Sequence, residues 1–248
     1  MTGPDVPTNF TLAYVPGVTP TKWVRLWNER LPLVSLTLLQ VSAAEAADAV
    51  RSRTADAVLL RLPIDRTGLH AIPLYTETTV VVVPKDHVTA LSEELSPEDL
   101  AEEIVLHPLD DALDWEGPPG RPAFQRPATT AAAVELVAAG VGLLVVPQSL
   151  ARLHHRRDLT YRTLVDAPES RVALSWTEDE TTDLIDQLIG IIRGRTVNST
   201  RGRPPAPAKP ERPAAEGRKA TTGKPAARTQ QRRSGAPKGG KRGKPRGR

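Results

Sequence analysis

Two turns that carry threonine are the strongest candidates for binding chemistry in this sequence. The first contains Gly17, Thr19 and Thr21 and leads into a predicted helix, and the second contains Thr129 and Thr130 and leads into another. A helix N-terminus presents unpaired N–H groups and a partial positive charge, so it binds anions. Each threonine would serve equally well as a simple helix cap. The occurrence of both turns favours a site for a small anion.

Two arginines are candidates to complete this site. Arg61 lies within the apolar run 57–62, so it either faces a cleft at the end of that strand or meets water there, and the sequence leaves both open. Arg126 lies just before Thr129. Because a guanidinium forms paired, charge-assisted hydrogen bonds with carboxylates, we predict a small anionic ligand, above all a carboxylate.

No pattern in the sequence indicates catalysis. The chain lacks a G-x-S-x-G nucleophile turn, an H-E-x-x-H zinc motif and a G-x-x-x-x-G-K-[ST] phosphate loop. The G-x-G at Gly140 and Gly142 follows a predicted helix, so it is no dinucleotide fingerprint, and adjacent acids such as Asp110 and Asp111 are expected to be solvated. The histidines lack the spacing of metal ligands: His70, His87, His107, His154 and His155. We therefore predict no enzyme, no catalytic residue, no metal and no cofactor.

These candidate residues must be positioned by a core in which short β-branched runs alternate with helical patterns. Such alternation is typical of βαβ units and a largely parallel sheet. A capping box at Ser42 and Glu45 and the pair Ser96-Pro97 mark helix starts, and 109–127 is predicted to be irregular. The predicted strands are 10–15, 34–41, 57–62, 69–83 (as one or two), 104–107, 141–146, 161–165 and 171–176, and the predicted helices are 19–31, 42–53, 131–139 and 184–192.

Several longer motifs resemble one known family. They are AYVPG at the end of the first strand, VSLTLLQ, DAVLLRLP, the crossover PLYTETTVVVVPKDH and the helix-strand unit ELVAAGVGLLVVPQSLARL. In this order they resemble the effector-binding domain of LysR-type transcriptional regulators, from about Phe10 to Arg193. The crossover and the helix-strand unit are fairly specific as a pair and weak singly.

The resemblance implies an α/β, two-lobed fold like that of type 2 periplasmic binding proteins, with mixed, mostly parallel sheets and a small-molecule cleft between the lobes. On this template residues 1–200 form the effector-binding domain, with lobe one at about 8–84 plus 162–198 and lobe two at about 85–161. Both threonine turns then lie where the family holds its effectors. Family members usually begin with a winged helix-turn-helix, which this sequence does not contain.

Trp23 and Trp27 lie four residues apart on one face of the first predicted helix. This spacing most often indicates core packing. The family implies a second interpretation, because its sensor domains pair antiparallel through this helix and the second lobe. The tryptophans would then form the surface of a homodimer, or of a heterodimer with another LysR-type regulator.

The charge of the chain is divided between two parts. Residues 1–200 carry 17 basic and 27 acidic side chains, whereas residues 201–248 carry 16 basic and 2 acidic ones, so the net charges are −10 and +14. The 48-residue tail has no Val, Ile, Leu, Met, Phe, Tyr or Trp. A segment of this composition buries too little apolar surface to offset the entropy of ordering, so we predict a disordered tail.

The basic tail is predicted to bind nucleic acid without sequence specificity. It has no aromatic side chain on which bases could stack, so neutralisation of phosphates is the DNA chemistry open to it. Two other interpretations stay open, a solubilising tail and one that binds the acidic core. The residues predicted to contact nucleic acid are Arg232, Arg233, Lys238, Lys241, Arg242, Lys244, Arg246 and Arg248.

The sequence has no cysteine, no secretion leader and no apolar stretch of about 18 residues, so we predict neither disulfides nor a membrane span. We expect a cytoplasmic protein that its tail could bring to the nucleoid. Two functions follow. One is a small-molecule sensor that the tail tethers to DNA. The other is an interaction protein that pairs with full-length LysR-type regulators and modulates them without binding DNA, and an enzyme on the same fold is a distant third.

Overall fold

The structure, a computed structural model, describes residues 9–179 and 181–195. Its helices are α1 (Thr21–Arg30), α2 (Ala46–Arg51), α3 (Thr130–Ala138), α4 (Gln148–Leu153) and α5 (Asp183–Ile192), with 3-10 turns at Val88–Leu91 and Pro97–Leu100. Its strands are β1 (Asn9–Tyr14), β2 (Ser35–Gln40), β3 (Ala57–Leu62), β4 (Leu69–Glu77), β5 (Thr79–Pro84), β6 (Glu94–Leu95), β7 (Ile104–Leu106), β8 (Arg121–Pro122), β9 (Leu143–Pro147), β10 (Leu159–Leu164) and β11 (Ser170–Thr177). None of these helices has the length and apolar character needed to cross a membrane.

The first sheet has the strand order β2-β1-β3-β11-β4. Strand β1 runs parallel to β2 and β3, whereas β11 runs antiparallel to β3 and β4. Buried side chains from β1, β3 and β11 pack with those of α1, α2 and α5 in one apolar core. Because parallel strands end at the same edge of a sheet, the turns that follow β1, β2 and β3 lie side by side.

The second sheet has the strand order β6-β10-β5-β9-β7-β8. Strand β5 is antiparallel to its neighbours β9 and β10, and β7 is parallel to β8 and β9. The valines of β5 point alternately into two apolar clusters, one on each face of the sheet. Both faces of β5 are buried, and this explains why its sequence is continuously apolar from Val80 to Val83. The predicted α/β class with mixed sheets is confirmed.

The sheet order corrects the expected lobe boundaries. Strands β5 and β10 were both placed wholly or partly in lobe one, yet they pair with each other in the second sheet, Thr163 opposite Val80. The chain therefore passes between the sheets at Thr78 and again between Leu164 and Ser170. Pro84 ends β5 but does not mark the crossing. The sequence alone could not predict that β5 pairs with β10, because the two strands lie about 80 residues apart in the chain.

Two local predictions of helix structure differ in outcome. The Ser42 hydroxyl donates to Glu45 at 2.6 Å, so the predicted capping contacts form, but helix α2 begins only at Ala46. Trp27 is fully buried, its indole donates to the Val34 carbonyl at 3.0 Å, and its ring lies 4.9 Å from that of Phe10. Core packing is therefore the role of Trp27, and it is not available as a dimer surface.

The irregular segment 109–127 is tied to the second sheet at several points. Strand β8 pairs with β7, and Gly120 makes this approach possible because a Cβ there would lie 2.8 Å from the carbonyl oxygen of Leu100. Asp111 accepts a hydrogen bond from the Leu113 backbone, and Trp115 packs against the apolar cluster beneath β5. The segment is therefore an ordered excursion that ends at helix α3.

Candidate functional site

Arg61, near the end of β3, joins the two sheets. Its Nε donates to Glu77 Oε2 at 2.8 Å, one terminal nitrogen donates to the Pro16 carbonyl at 2.8 Å, and the other donates to Ser149 Oγ at 3.0 Å. Ser149 belongs to α4 beside the second sheet, whereas Pro16 follows β1 of the first. The Arg61 guanidinium thus faces the junction of the sheets, which is one of the two interpretations that the sequence left open. Protein groups already form hydrogen bonds with it.

The carboxylate that occupies Arg61 is Glu77, the last residue of β4. The side chains of Arg61 and Glu77 are only 6% and 5% exposed, and the Ser170 hydroxyl donates to the same Glu77 oxygen at 3.0 Å. Buried charges need partners with good hydrogen-bond geometry, and this pair has them. Arg61 therefore binds an anion, but the anion is supplied by the protein itself.

Gly17 provides the space in which the Arg61 guanidinium lies. Its φ is +86°, and a Cβ would lie 2.8 Å from Ser149 Oγ and 2.9 Å from the nearer Arg61 nitrogen. The position therefore requires glycine for both backbone conformation and close approach. The structure brings Gly17 and Arg61 together, as the sequence predicts, although their contact is with each other.

The threonines at the start of α1 are open to solvent. Thr19 and Thr21 are both exposed, and Pro20 stands at the cap position, so no side chain caps this helix. The first N–H groups of α1 accordingly lack the side-chain acceptor that a threonine cap would supply. Anion binding at this helix end stays a prediction.

The second threonine turn is filled by an internal carboxylate. Thr129 caps α3 by accepting a hydrogen bond from Ala132 N at 3.1 Å, which is the simpler of its two predicted roles. Thr130 is buried and donates to Asp110 Oδ1 from both its N, at 2.7 Å, and its hydroxyl, at 3.0 Å. Asp110 is exposed, as expected, and it also takes the anion position at the α3 N-terminus.

Arg126 is engaged with the backbone that follows β7. It donates to the carbonyl oxygens of His107 and Pro108 at 2.8 and 2.7 Å. Burial lowers the pKa of His107, and the neighbouring charge of Arg126 adds to that effect. Burial also raises the pKa of the nearby Asp111 carboxyl. Arg126 therefore holds the loop that carries Asp110 and is not a free anchor for a ligand.

A cavity of about 460 Å³ opens at the junction of the two sheets. It is lined by the turn that follows β3, by the loop that follows β7 and by the second crossing segment with the start of β11. Its apolar lining includes Leu62, Pro63, Ile64, Ala112 and Pro168, and its charged lining is Arg66, Asp114, Glu169 and Arg171. Sequence reasoning missed all nine residues, because three distant segments meet here and none carries a motif.

A second cavity, of about 360 Å³, lies beside the second sheet alone. Lys85, His154, His155 and Arg156 contribute to its lining. Arg156 is ion-paired with Asp158 at 3.0 Å and also with Glu135. This cavity does not join the two sheets, and its strongest cation already has partners.

Within 9–179 and 181–195 no group of three or more metal-ligating side chains comes together. The eight tail residues predicted to contact nucleic acid lie outside the described residues. The fold has two mixed β-sheets flanked by helices, two chain crossings between them and a cavity at their junction. This arrangement defines the class of two-lobed ligand-binding domains.

A family model described as "LysR substrate binding domain" matches residues 11–196, and the chain belongs to this family. It is a family of regulators, so the prediction that the chain is not an enzyme is confirmed.

The curated relatives include a probable hydrogen peroxide-inducible genes activator of Mycobacterium leprae, 31% identical over 145 residues, which cover 55% of this chain and 46% of the relative. Another is the HTH-type transcriptional regulator AlsR of Bacillus subtilis, 27% identical, with 57% of this chain and 50% of the relative covered. The chain thus spans about half the length of these relatives.

Solved structures show the same fold. The oxidised form of OxyR matches with a TM-score of 0.63 and 22% identity, covering 76% of this chain and 96% of that one. The BenM effector-binding domain with its effector benzoate matches with a TM-score of 0.64 and 20% identity, covering 79% and 96%.

Proposed function

We propose that this chain is a regulatory sensor that binds a small, carboxylate-bearing effector between its two sheets. The observation that carries the proposal is the cavity of about 460 Å³ at their junction, which both sheets and a crossing segment line. A cavity of this size lies within the range of about 300 to 1,000 Å³ typical of small-molecule sites. Benzoate, a carboxylate, is the effector of the BenM domain that shares the fold.

The charges at the junction decide which groups could hold such a carboxylate. Arg61 and Thr130 are paired with Glu77 and Asp110, so neither favours an added anion. Arg66 and Arg171 line the cavity, and neither side chain has a hydrogen-bond or ion-pair partner among the described residues. The uncapped start of α1 does not contribute to the lining of this cavity. Support for an acidic effector therefore rests on Arg66 and Arg171.

Titration calorimetry of the full chain against a panel of metabolites tests the proposal. The panel contains monocarboxylates, dicarboxylates, amino acids, amines and sugars at near-neutral pH. Binding of at least one carboxylate-bearing compound, weakened in the variant R66Q/R171Q, would support it. Binding of amines or sugars alone would contradict the carboxylate class, and silence across the panel would contradict the sensor function.

We further propose that residues 201–248 tether the sensor to nucleic acid. The support is compositional, since 16 basic and 2 acidic side chains in 48 residues suit the neutralisation of phosphates. Such binding is non-specific and is weakened by salt, because each phosphate contact releases condensed counterions. With about 6 to 10 contacts, affinity should fall by about 10³ to 10⁵ between 50 and 200 mM salt.

Fluorescence anisotropy of a random DNA duplex, followed over a salt series, tests the tether. The full chain should bind with a steep salt dependence, and a chain ending at residue 200 should not bind. Equal binding by both chains would assign the DNA contact to the sensor domain. If neither chain binds, the tail has another role.

A second candidate function is an interaction protein that pairs with full-length LysR-type regulators. The observation that favours it is the open edge of the first sheet, where β2 has β1 as its partner and Leu33 and Leu38 are 90% and 41% exposed. An edge strand with exposed apolar neighbours favours pairing with another chain. Light scattering tests self-association, and co-purification of a family member that L33K/L38K abolishes would favour the heterodimer.

A further inference from the structure

The cavity between the sheets has a charge pattern that the sequence did not anticipate. Arg66 and Arg171 supply two guanidinium groups, and Asp114 and Glu169 supply two carboxylates. Among the described residues none of these four side chains has a hydrogen-bond or ion-pair partner, although all four line one cavity. All four are exposed, so the lining is electrically balanced and presents groups of both signs that no protein group occupies.

The four charged residues come from three segments of the chain. Arg66 lies in the turn after β3 and Arg171 lies in β11, so both guanidinium groups belong to the first sheet. Asp114 lies in the loop after β7 of the second sheet, and Glu169 lies in the crossing segment. Glu169 lies only two residues before Arg171, so a molecule that filled this cavity would meet groups of both signs.

We infer that the effector of this cavity is a zwitterion with an apolar body, of which an apolar α-amino acid is the simplest example. Its carboxylate would lie against Arg66 and Arg171, and its ammonium against Asp114 and Glu169. The apolar lining, which includes Leu62, Ile64 and Pro168, would cover its side chain. The inference rests on the proposed sensor function and narrows the class of carboxylate that it takes.

The engaged sites elsewhere at the junction strengthen this assignment. A simple anion would be best served by Arg61 and by the α3 N-terminus, but Glu77 and Asp110 occupy these. The unpaired arginines at the cavity are accompanied by acids that would repel a simple anion. A molecule carrying both charges satisfies all four groups, whereas a monovalent anion or cation satisfies two of them and opposes the other two.

Calorimetry on the full chain tests the inference with matched probes. Valine, leucine and phenylalanine are each compared with the acid that lacks the ammonium and with the amine that lacks the carboxylate, as leucine is with isocaproate and isoamylamine. At least one amino acid should bind at least about tenfold more tightly than either analogue, since hydrogen bonds to charged groups contribute on this scale.

Charge-neutral variants then assign the two ends of the ligand. R66Q and R171Q should weaken the amino acid and its acid analogue, and D114N and E169Q should weaken the amino acid and its amine analogue, each by about tenfold. The controls are R157Q and E98Q, which neutralise exposed residues that do not line the cavity and should leave affinity unchanged.

The outcomes separate this inference from the broader proposal. An acid analogue that binds as tightly as its amino acid would overturn the zwitterion but leave the carboxylate sensor standing. An amine that binds as tightly would overturn both the zwitterion and the carboxylate class. If the amino acids fail while another carboxylate from the metabolite panel binds, the zwitterion is wrong and the sensor function stands.

Discussion

Glu77 Oε2 accepts a hydrogen bond from Arg61 Nε at 2.8 Å, and both side chains are more than nine-tenths buried. The pair links β3 with the end of β4, and the same guanidinium reaches Ser149 beside the second sheet. An ion pair at this place fixes how the first sheet meets the second. Its buried charges also make it the most sensitive point of the junction to substitution.

Replacing Glu77 with leucine should destabilise the protein strongly. E77L leaves the Arg61 charge buried and unpaired, which should lower the free energy of unfolding by about 3 to 5 kcal/mol. The double variant R61M/E77L should recover much of that loss, because it removes both charges. Urea unfolding followed by circular dichroism measures both effects. As a control, E29L breaks the exposed Arg25–Glu29 pair and should change stability by less than about 1 kcal/mol. Equal losses for E77L and E29L would contradict the prediction.

Adding a methyl group at Gly17 should cost more than adding one at Gly68. Both residues have positive φ, +86° and +70°, so alanine is strained at each by about 1 to 2 kcal/mol. At Gly17 the methyl group would also contact Ser149 and Arg61, whereas at Gly68 it would meet nothing within 4 Å. The additional loss for G17A should be about 1 to 3 kcal/mol, measured as the difference in unfolding free energy between the two variants. An identical loss of stability at both sites would show that the Arg61 side chain moves away from the methyl group at no measurable cost.

Removing the Asp110 carboxylate should destabilise the start of α3. D110A deprives the buried Thr130 of the acceptor for its N–H and hydroxyl groups, and a lost contact of this kind costs about 1 to 2 kcal/mol. Hydrogen exchange of the first α3 amides, together with urea unfolding, measures this loss. The exposed Glu116 in the same segment is the control, since E116A should stay within about 0.5 kcal/mol of the parent. Unchanged exchange at Thr130 in D110A would refute the role of Asp110.

The pH dependence of stability should contain a contribution from His107. Burial, reinforced by Arg126, lowers the pKa of His107 below the value of 6.5 that its imidazole has in an unfolded chain. The unfolded state therefore binds more protons below pH 6.5, so stability should fall as the pH drops through that value. The variant H107Q should show a smaller fall between about pH 7.5 and 5.5, and H155Q, at an exposed position, should match the parent. Identical falls in H107Q and the parent would exclude this contribution.

Local patterns in the sequence predicted the elements well, and the reasons are physical. The strand at 57–62 was predicted with the bounds that it has, because a short, mostly apolar run between a turn and a proline has few other conformations. A cap was one of the two roles that the sequence left open for Thr129, since its hydroxyl and the helix start lie within four residues, and the structure shows that cap. Short-range chemistry of this kind is visible in a single sequence.

Contacts between distant segments escaped prediction. The partner of Arg61 lies 16 residues along the chain and that of Thr130 lies 20 residues away, and several acids were equally suitable for each. The sheet membership of β5 depends on β10, whose sequence has no feature that names its neighbour. The cavity required three such segments at once. The family resemblance indicated a cleft between lobes, but it could not say which charges line it.

The position of β11 has a consequence for how the chain is made. The second sheet is built entirely from 79–164, a continuous stretch, whereas the first sheet needs β11 to join β3 to β4. On a translating ribosome the second sheet has all its strands before Ser170 has been synthesised. The first sheet must wait with β3 and β4 unjoined until Thr177 has emerged from the exit tunnel. The second sheet can thus close first, and the first sheet, although four of its five strands are synthesised earlier, closes only when β11 arrives.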